Sequence, residues 1–375
     1  MIQLNNLLKT FILFFLFTSS AYALNTSNAR GSTTVYALSP QEVYNISNDV
    51  WGFVTYQDGF DITTTVTLGL GIASPIKGGE IKIADGGTLE LLTDLEIGST
   101  VRFTVGSSSG DTAYIIGNNG SLICDGGFTI PDNRNLKLSE SGLVIDCKGN
   151  YLNIGENSHI IFDPDSTLTI RNAIITGLQG TANSDGAIIL NNNSSMLTFQ
   201  NVLIDLKGDY NLNLGWLFIH DDVLIQGDGY TFKRSSVVDD PNQKPTIVTE
   251  FSKLTFDRGV TFEYDYRSSV STRCREQFIL KDLSSVLELN NCVLSVPSGS
   301  SSYAGLFLRD GSLVLDNLVT FSNYDGLFVN QDPQKGIIFG NIQDTFADVN
   351  LNLKVLSDCR TEVFGSLSVT KANFV

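Results

Sequence analysis

Apolar and polar residues along this chain follow a seven-residue pattern: a small residue, any residue, Leu, any residue, an apolar residue, any residue and Asn. Leu and the apolar residue two positions later have the period of a β-strand with one buried face. The four full copies are Ser166–Asn172, Ser195–Asn201, Ser285–Asn291 and Gly311–Asn317. Weaker copies are centred on Leu89, Leu122, Leu143, Leu224 and Leu254.

Recurrence of one short unit along most of a chain is the sequence mark of a solenoid. Each unit reads as a strand, a sharp turn at Asn and a second strand, followed by a variable segment that closes the coil. A β-sandwich does not repeat its strands in this way, and a propeller blade needs a longer unit of about 40–50 residues. The pattern therefore predicts an all-β fold, a parallel β-helix of about ten coils.

Equivalent positions of stacked coils fall into columns about 4.8 Å apart. Interior Leu residues of neighbouring copies should then stack, in the pairs Leu168 with Leu197 and Leu287 with Leu313. Asn tolerates the left-handed backbone of a tight turn, and stacked amides can hydrogen-bond between coils. We therefore expect a structural ladder of Asn172, Asn201, Asn291 and Asn317. Asp228 and Arg258 should interrupt this column.

The chain begins with the features of a secretory signal peptide: Lys9, the apolar run Phe11–Phe17 and an Ala-Tyr-Ala cleavage site ending at Ala23. The run is shorter than the ~18 residues that would span a bilayer. We predict a signal peptide at 1–23, no transmembrane segment after its removal, and a secreted, periplasmic or cell-surface protein.

The remaining chain is expected to divide into an N-terminal leader and cap at 24–79, a parallel β-helix at 80–345, and final coils or a C-terminal cap at 346–375. The ends of a solenoid need caps because an open coil exposes apolar columns and unpaired strand edges. Ser39-Pro40-Gln41-Glu42 has the form of a helix capping box. It predicts a short capping helix at about 40–50.

The formal charge of the whole chain is −16. Such a charge argues against nucleic acid and anionic membrane surfaces as partners. The five cysteines form no C-x-x-C motif, so a zinc site is not indicated. Cys124 and Cys147 lie on successive repeats, and a disulfide between them is one of the pairings to consider.

The repeated phrase and its spacing resemble the right-handed parallel β-helix of the pectin-lyase-like superfamily, over roughly 80–345. The resemblance implies right-handed coils. It also implies that an enzyme of this kind would carry its acids on the outer face of one sheet, under loops. The polygalacturonase-like branch carries N-T-D, D-D, G-H-G and R-I-K in order. This chain has only D-D pairs and lacks G-H-G and R-I-K.

Paired carboxylates can act as general acid and base on a glycoside or hold calcium through oxygen ligands. The catalytic candidates are Asp221, Asp222, Asp239, Asp240 and Arg258. The calcium candidates are Asp205, Asp221 and Asp222, and no other cofactor is indicated. D-D pairs are also common in solvated acidic loops, which is the simpler interpretation here.

A signal peptide, a β-helix and an acidic surface without a complete catalytic motif resemble secreted bacterial surface proteins of the adhesin type. The first hypothesis is therefore a non-catalytic protein of the cell surface that binds a polysaccharide or a cell-surface protein. The alternative is a carbohydrate-active enzyme, a polysaccharide lyase or a glycoside hydrolase, of the pectin-lyase-like superfamily. The sequence leaves the ligand and the oligomeric state open.

Overall fold

The computed structural model describes residues 85–235, 244–265, 277–296 and 310–323 with short internal gaps, and separate strands elsewhere between residues 44 and 374. The described chain forms an all-β parallel solenoid and contains no helix. Every described strand pairing is parallel except that of Arg267–Ser268 with Tyr303–Ala304. The predicted fold class is confirmed, while the right-handed sense of the coils stays a prediction.

Three sheets account for all the described strands. A seven-stranded sheet forms side one of the coil and contains β1 (Tyr44–Ile46), β3 (Thr65–Leu68), β5 (Thr88–Leu91), β8 (Thr112–Ile116), β11 (Asn135–Ser139), β13 (His159–Phe162) and β16 (Ile188–Ile189). A four-stranded sheet contains β24 (Arg267–Ser268), β27 (Tyr303–Leu308), β29 (Gly336–Gly340) and β32 (Leu367–Thr370).

A sheet of 22 strands wraps around the remaining sides. Its strands are β2 (Gly59–Ile62), β4 (Glu80–Ile83), β6 (Leu95–Ile97), β7 (Arg102–Val105), β9 (Ser121–Cys124), β10 (Phe128–Ile130), β12 (Leu143–Ile154), β14 (Thr167–Thr176), β15 (Gly180–Thr181), β17 (Met196–Asp205), β18 (Tyr210–Leu212), β19 (Trp216–Gln226), β20 (Thr231–Ser235), β21 (Thr246–Val248), β22 (Lys253–Asp257), β23 (Thr261–Asp265), β25 (Phe278–Leu280), β26 (Val286–Val296), β28 (Asp310–Asn323), β30 (Asn350–Val355), β31 (Arg360–Phe364) and β33 (Asn373–Phe374).

The strand register separates this sheet into three further sides. Side two begins with β6 and β9 and continues through the first halves of β12, β14, β17 and β19. Side three begins with β2, β4, β7 and β10 and continues through the second halves of the same four strands into β22. Side four contains β15, β18, β20 and β23. The first corner joins sides two and three, and the second corner joins sides three and four.

The prediction of about ten coils is corrected to about seven turns that include side one, which contains seven stacked strands. This side ends at β16, and the next coil runs from Tyr210–Leu212 on side four directly to Trp216 on side two. The repeated phrase does not detect this change, because it records only one strand and one turn of each coil.

The predicted interior stacking is confirmed, but it occurs on two different sides. Leu168 pairs with Leu197 on side two. Leu287 pairs with Leu313 on side three, in a column that runs back through Leu254 to Val223. All four residues of the predicted pairs are almost completely buried. The repeated phrase therefore moves from one side of the coil to the next between the two halves of the solenoid.

The copy assigned to Leu224 is wrong in its register. The residue that continues the column of Leu197 is Leu217, in the phrase Gly215-Trp-Leu217-Phe-Ile-His-Asp221. Leu224 pairs instead with Leu203 on the outer face of side three. The outward positions of the true copy are occupied by Trp216, Phe218 and His220. Because two of these are large and apolar, the copy lacks the usual alternation of apolar and polar residues.

The predicted N-terminal helix is also wrong where the structure describes it. Tyr44–Ile46 is a strand that pairs in parallel with Val66–Leu68 on side one. Pairing with the adjacent coil satisfies the backbone groups of Tyr44–Ile46 that a helix would have paired within itself. The predicted signal peptide at 1–23 and most of the leader at 24–79 lie outside the described residues.

The disulfide considered between Cys124 and Cys147 is not formed. Both residues are free and fully buried. Burial raises the pKa of the Cys147 thiol to about 12 and also raises that of Cys124. Both thiols are therefore protonated at neutral pH and act as small apolar side chains of the core.

We expect Leu197→Asp to destabilise the protein by several kcal/mol, because it places an uncompensated charge in a buried apolar column. Thr198→Asp is the matched control, since Thr198 lies next along the same strand but points outward. Denaturant unfolding of the two variants measures the difference. Equal losses of stability would contradict the assignment of inner and outer faces.

Candidate functional site

A ladder of polar side chains runs along the first corner. The Asn172 side-chain amide donates to Asp146 Oδ1 at 3.1 Å, and that of Asn201 donates to Asn172 Oδ1 at 2.8 Å. Asn172 and Asn201 have φ of 48° and 52°, in the left-handed region that Asn tolerates. Asn172 and Asn201 are thus hydrogen-bonded to each other at a turn whose backbone conformation Asn tolerates.

The other two predicted ladder residues lie at the second corner. Asn291 and Asn317 also have positive φ, of 45° and 51°. The Asn317 amide donates at 2.7 Å to Asn290 Oδ1, however, and not to Asn291. Arg258 has φ of 54° and precedes them at the same corner.

The position after Asn201 at the first corner is taken by Asp221, with φ of 54°. Gln200 Nε2 donates to Asp221 Oδ2 at 2.9 Å, and the Asp221 backbone amide donates to Ser252 Oγ at 2.9 Å. Asp228, which was expected in this column, follows the side-three strand instead. Asp221 is therefore part of the corner structure.

Asp146 anchors the ladder electrostatically. Arg171 Nε donates to Asp146 Oδ2 at 2.8 Å, and the Lys148 backbone amide donates to Oδ1 at 3.0 Å. Burial raises the pKa of this carboxyl, but the hydrogen bonds from Lys148, Asn172 and Arg171 outweigh burial and hold it below its ordinary range. Asp146 is thus a fixed negative charge at the start of the ladder.

A groove of about 460 Å³ lies on the outer face of side three, next to this ladder. Its floor is an apolar row in which Ile174 pairs with Leu203 and Leu203 pairs with Leu224. Tyr151, which is 52% exposed, extends the row by one coil. The lining residues are Gly149, Asn172, Ala173, Ile174, Asn201, Val202, Leu203, Asp222, Val223, Leu224, Lys253, Thr255, Asp257 and Glu288.

Charged residues lie at one end of the groove. Three of its lining residues are acidic, namely Asp222, Asp257 and Glu288, and one is the basic Lys253. Lys253 Nζ lies 3.3 Å from Glu288 Oε2, so this ammonium group is paired within the groove. The groove therefore combines an apolar floor with a net negative end.

The predicted site residues are only partly brought together. Asp222 lines the groove, and Asp221 precedes it at the corner. Asp205 lies on side three and pairs with Lys207 Nζ at 2.6 Å. Arg258 belongs to the second corner, and Asp239 and Asp240 lie outside the described residues. No group of three or more His, Cys, Asp or Glu within the described chain is placed to hold a metal ion.

The apolar floor was missed at the sequence level, although a signal for it is present. After the turn residue, three consecutive apolar residues replace the expected alternation: Ala173-Ile-Ile175, Val202-Leu-Ile204 and Val223-Leu-Ile225. The first and third residues of each triplet point inward, so the middle one must point outward. Three such triplets on successive coils predict an exposed apolar row.

Comparison of the chain with protein-family models, curated proteins and solved structures gave no match in any of the three. Of the features that the resemblance implied, the structure shows the parallel β-solenoid architecture. Within the described residues, no helix has the length and apolar character needed to cross a membrane.

We expect Asn201→Ala to lower the free energy of unfolding by about 1–2 kcal/mol. The variant loses a ladder hydrogen bond, and Ala tolerates positive φ less well than Asn because it lacks the side-chain amide. Asn201→Gly should cost less, because Gly accepts the backbone conformation and loses only the hydrogen bond. Thermal and denaturant unfolding compare the two. An alanine variant of full stability would refute a structural role.

Stability should also depend on pH through Asp146. Its folded pKa is lower than its unfolded value of about 3.9, so its contribution is fully present above that value and is lost as the pH falls through the folded pKa. Asp146→Asn removes this contribution. We expect the wild type to lose more stability than this variant between pH 5 and pH 3; parallel curves would contradict the assignment.

Proposed function

We propose that this protein is a secreted or cell-surface β-solenoid that binds an extended polymer along side three without chemical turnover. The apolar row of Ile174, Leu203 and Leu224 supports this proposal, because it forms the floor of a groove that runs from coil to coil. The predicted signal peptide at 1–23 supports the extracellular location.

The rigidity of the groove supports binding by a preformed surface. Its floor residues belong to long parallel strands, and its border includes Asn172 and Asn201, which are hydrogen-bonded to each other. Side chains carried on strands lose little conformational freedom when a ligand binds, so less of the interaction energy is spent on ordering. A flat, regular row also suits a ligand with repeating units.

The charge of the groove narrows the class of polymer. Asp222, Asp257 and Glu288 outnumber Lys253, which is paired with Glu288, and the whole chain carries −16. A polyuronate would be repelled unless calcium bridged the two sets of carboxylates. We therefore propose a neutral or amino polysaccharide as the ligand, in the manner of adhesin-type surface proteins.

A carbohydrate-active enzyme of the pectin-lyase-like kind is the second candidate. It is favoured by the same acidic end of the groove, where Asp222, Asp257 and Glu288 lie beside the surface that would hold the glycan. Glycoside hydrolysis needs two carboxylates about 5–9.5 Å apart on either side of the scissile bond. Asp222 is the acid through which this candidate can be tested.

We expect Leu203→Glu to weaken retention on insoluble chitin or cellulose at least tenfold, because it places a charge in the centre of the apolar floor. Val144→Glu is the matched control: Val144 is a half-buried, outward-facing apolar residue on side two. Both variants should retain the wild-type unfolding midpoint within a few degrees. Equal retention by the wild type and Leu203→Glu, or no retention by the wild type, would rule out the proposed groove ligand.

Turnover is tested by incubating the wild type with polygalacturonate, chitin and cellulose, with calcium and with chelator, and by measuring new reducing ends. We expect none. Chain cleavage that disappears in Asp222→Asn or Asp240→Asn would establish the enzyme and overturn the non-catalytic proposal.

A further inference from the structure

Phe251 combines two features that seldom occur together in a bulky residue. Its side chain is 85% exposed, more than any other large hydrophobic residue within the described chain. Its φ is 57°, in the left-handed region that residues other than Gly, Asn and Asp rarely adopt. Neither burial nor backbone preference explains an aromatic residue here.

The backbone at this point is an enlarged first corner. Ile219 and Val223 flank the corner in one coil and have three residues between them. Their register partners in the next coil, Val248 and Leu254, have five residues between them. The two additional residues extend the corner outward, and Phe251 lies within this extension.

Hydrogen bonds hold the enlarged corner in place. The Ser252 amide donates to the Thr249 carbonyl at 3.2 Å, and the two hydroxyl groups of these residues lie 2.8 Å apart. The Phe251 amide donates to Ser284 Oγ of the following coil at 2.7 Å. Phe251 is therefore presented by an ordered turn that is tied to its neighbour.

A second exposed apolar residue lies on that neighbouring coil. Leu283 is 50% exposed and directly precedes Ser284, the residue that binds the Phe251 amide. Lys253 pairs with Val286, so the two corners follow each other along the solenoid. We call these two exposed residues on the corners of neighbouring coils, Phe251 and Leu283, the apolar knob.

The charges around the knob are predominantly negative. Glu250 and Asp282 flank Phe251 and Leu283 in the sequence, and Asp222 lies on the strand next to Lys253. The hydrogen bond from the Ser284 hydroxyl lowers the pKa of Asp282, so this carboxylate is charged at all physiological pH values. Lys281 and Lys253 are the positive groups, and Lys253 is paired with Glu288.

We propose that Phe251 and Leu283 anchor a protein partner that offers an apolar pocket bordered by Lys and Arg side chains. An exposed knob fits a concave pocket, and a rigid exposed aromatic residue is typical of the anchors that dominate protein interfaces. The acidic flanks are complementary to a basic border and steer such a partner toward the knob. Phe251 and Leu283 do not line the groove on side three, whereas Asp222 and Lys253 lie beside both surfaces. The knob does not depend on the groove ligand.

The backbone conformation of Phe251 supplies a variant that removes the aromatic ring without disturbing the fold. Phe251→Asn removes the aromatic ring and supplies a residue that accepts positive φ, as Asn172 and Asn201 do at this corner. We expect its unfolding midpoint to equal or exceed that of the wild type. Strain retained at an exposed residue is characteristic of functional positions.

Binding is tested with a phage-displayed library of random cyclic dodecapeptides, selected on the immobilised full-length protein. We expect enriched peptides that combine apolar residues with Lys or Arg, and that lose at least tenfold in affinity for Phe251→Asn and for Leu283→Asn. Tyr230→Asn is the matched control, because Tyr230 is 39% exposed on a different corner. It should bind the peptides as the wild type does, with an affinity that falls as salt increases.

Three outcomes would overturn the proposal: peptides whose binding is indifferent to Phe251→Asn, enrichment of acidic peptides, or no enrichment at all. Co-sedimentation with phosphatidylcholine vesicles that is lost in Phe251→Asn would assign the knob to a lipid surface instead, which also overturns it. Leu203→Glu should leave peptide binding unchanged, so failure of the groove and failure of the knob are separable.

Discussion

The structure depends on parallel hydrogen bonding between successive coils in fixed register. Once Leu168 is paired with Leu197, the pairing of all the remaining residues of the two strands is fixed. The inner and outer faces then follow from the alternation of side chains along each strand. Interior columns, corner ladders and the outer groove are all consequences of that one alignment. A slip by one residue would bring the apolar columns to the surface and the polar outer rows into the core.

The corners determine where this alignment can change. At the first corner, Asn172 and Asn201 turn the chain within a single residue and bond to one another. Two coils later the enlarged turn around Phe251 replaces them, and the tight Asn turn passes to the second corner at Asn291 and Asn317. Phe251 lies at this transition, where the first corner lengthens from three residues to five between adjacent coils.

The sequence predicts what each coil repeats and misses what changes between coils. The pairing of Leu287 with Leu313 and the turn at Asn201 could be predicted, since they follow from local alternation and backbone preference. The end of side one at Ile189 could not, because it depends on which non-local strand is available for pairing. Leu203 faces outward for a reason visible only in the triplet around it, and the exposure of Phe251 follows from a turn length that no single repeat reveals.

Side one ends at Ile188–Ile189, and the later coils contain side four instead. This change affects how the chain could be lengthened by duplication of coils. Duplication of a whole coil within the earlier segment, or within the later one, would insert a unit whose neighbours have the same sides. Duplication across Ile188–Ile189 would instead join coils of different cross-section and leave strand edges without partners. The chain can therefore be lengthened by recombination within either segment, while the junction between them should be inherited as a single block.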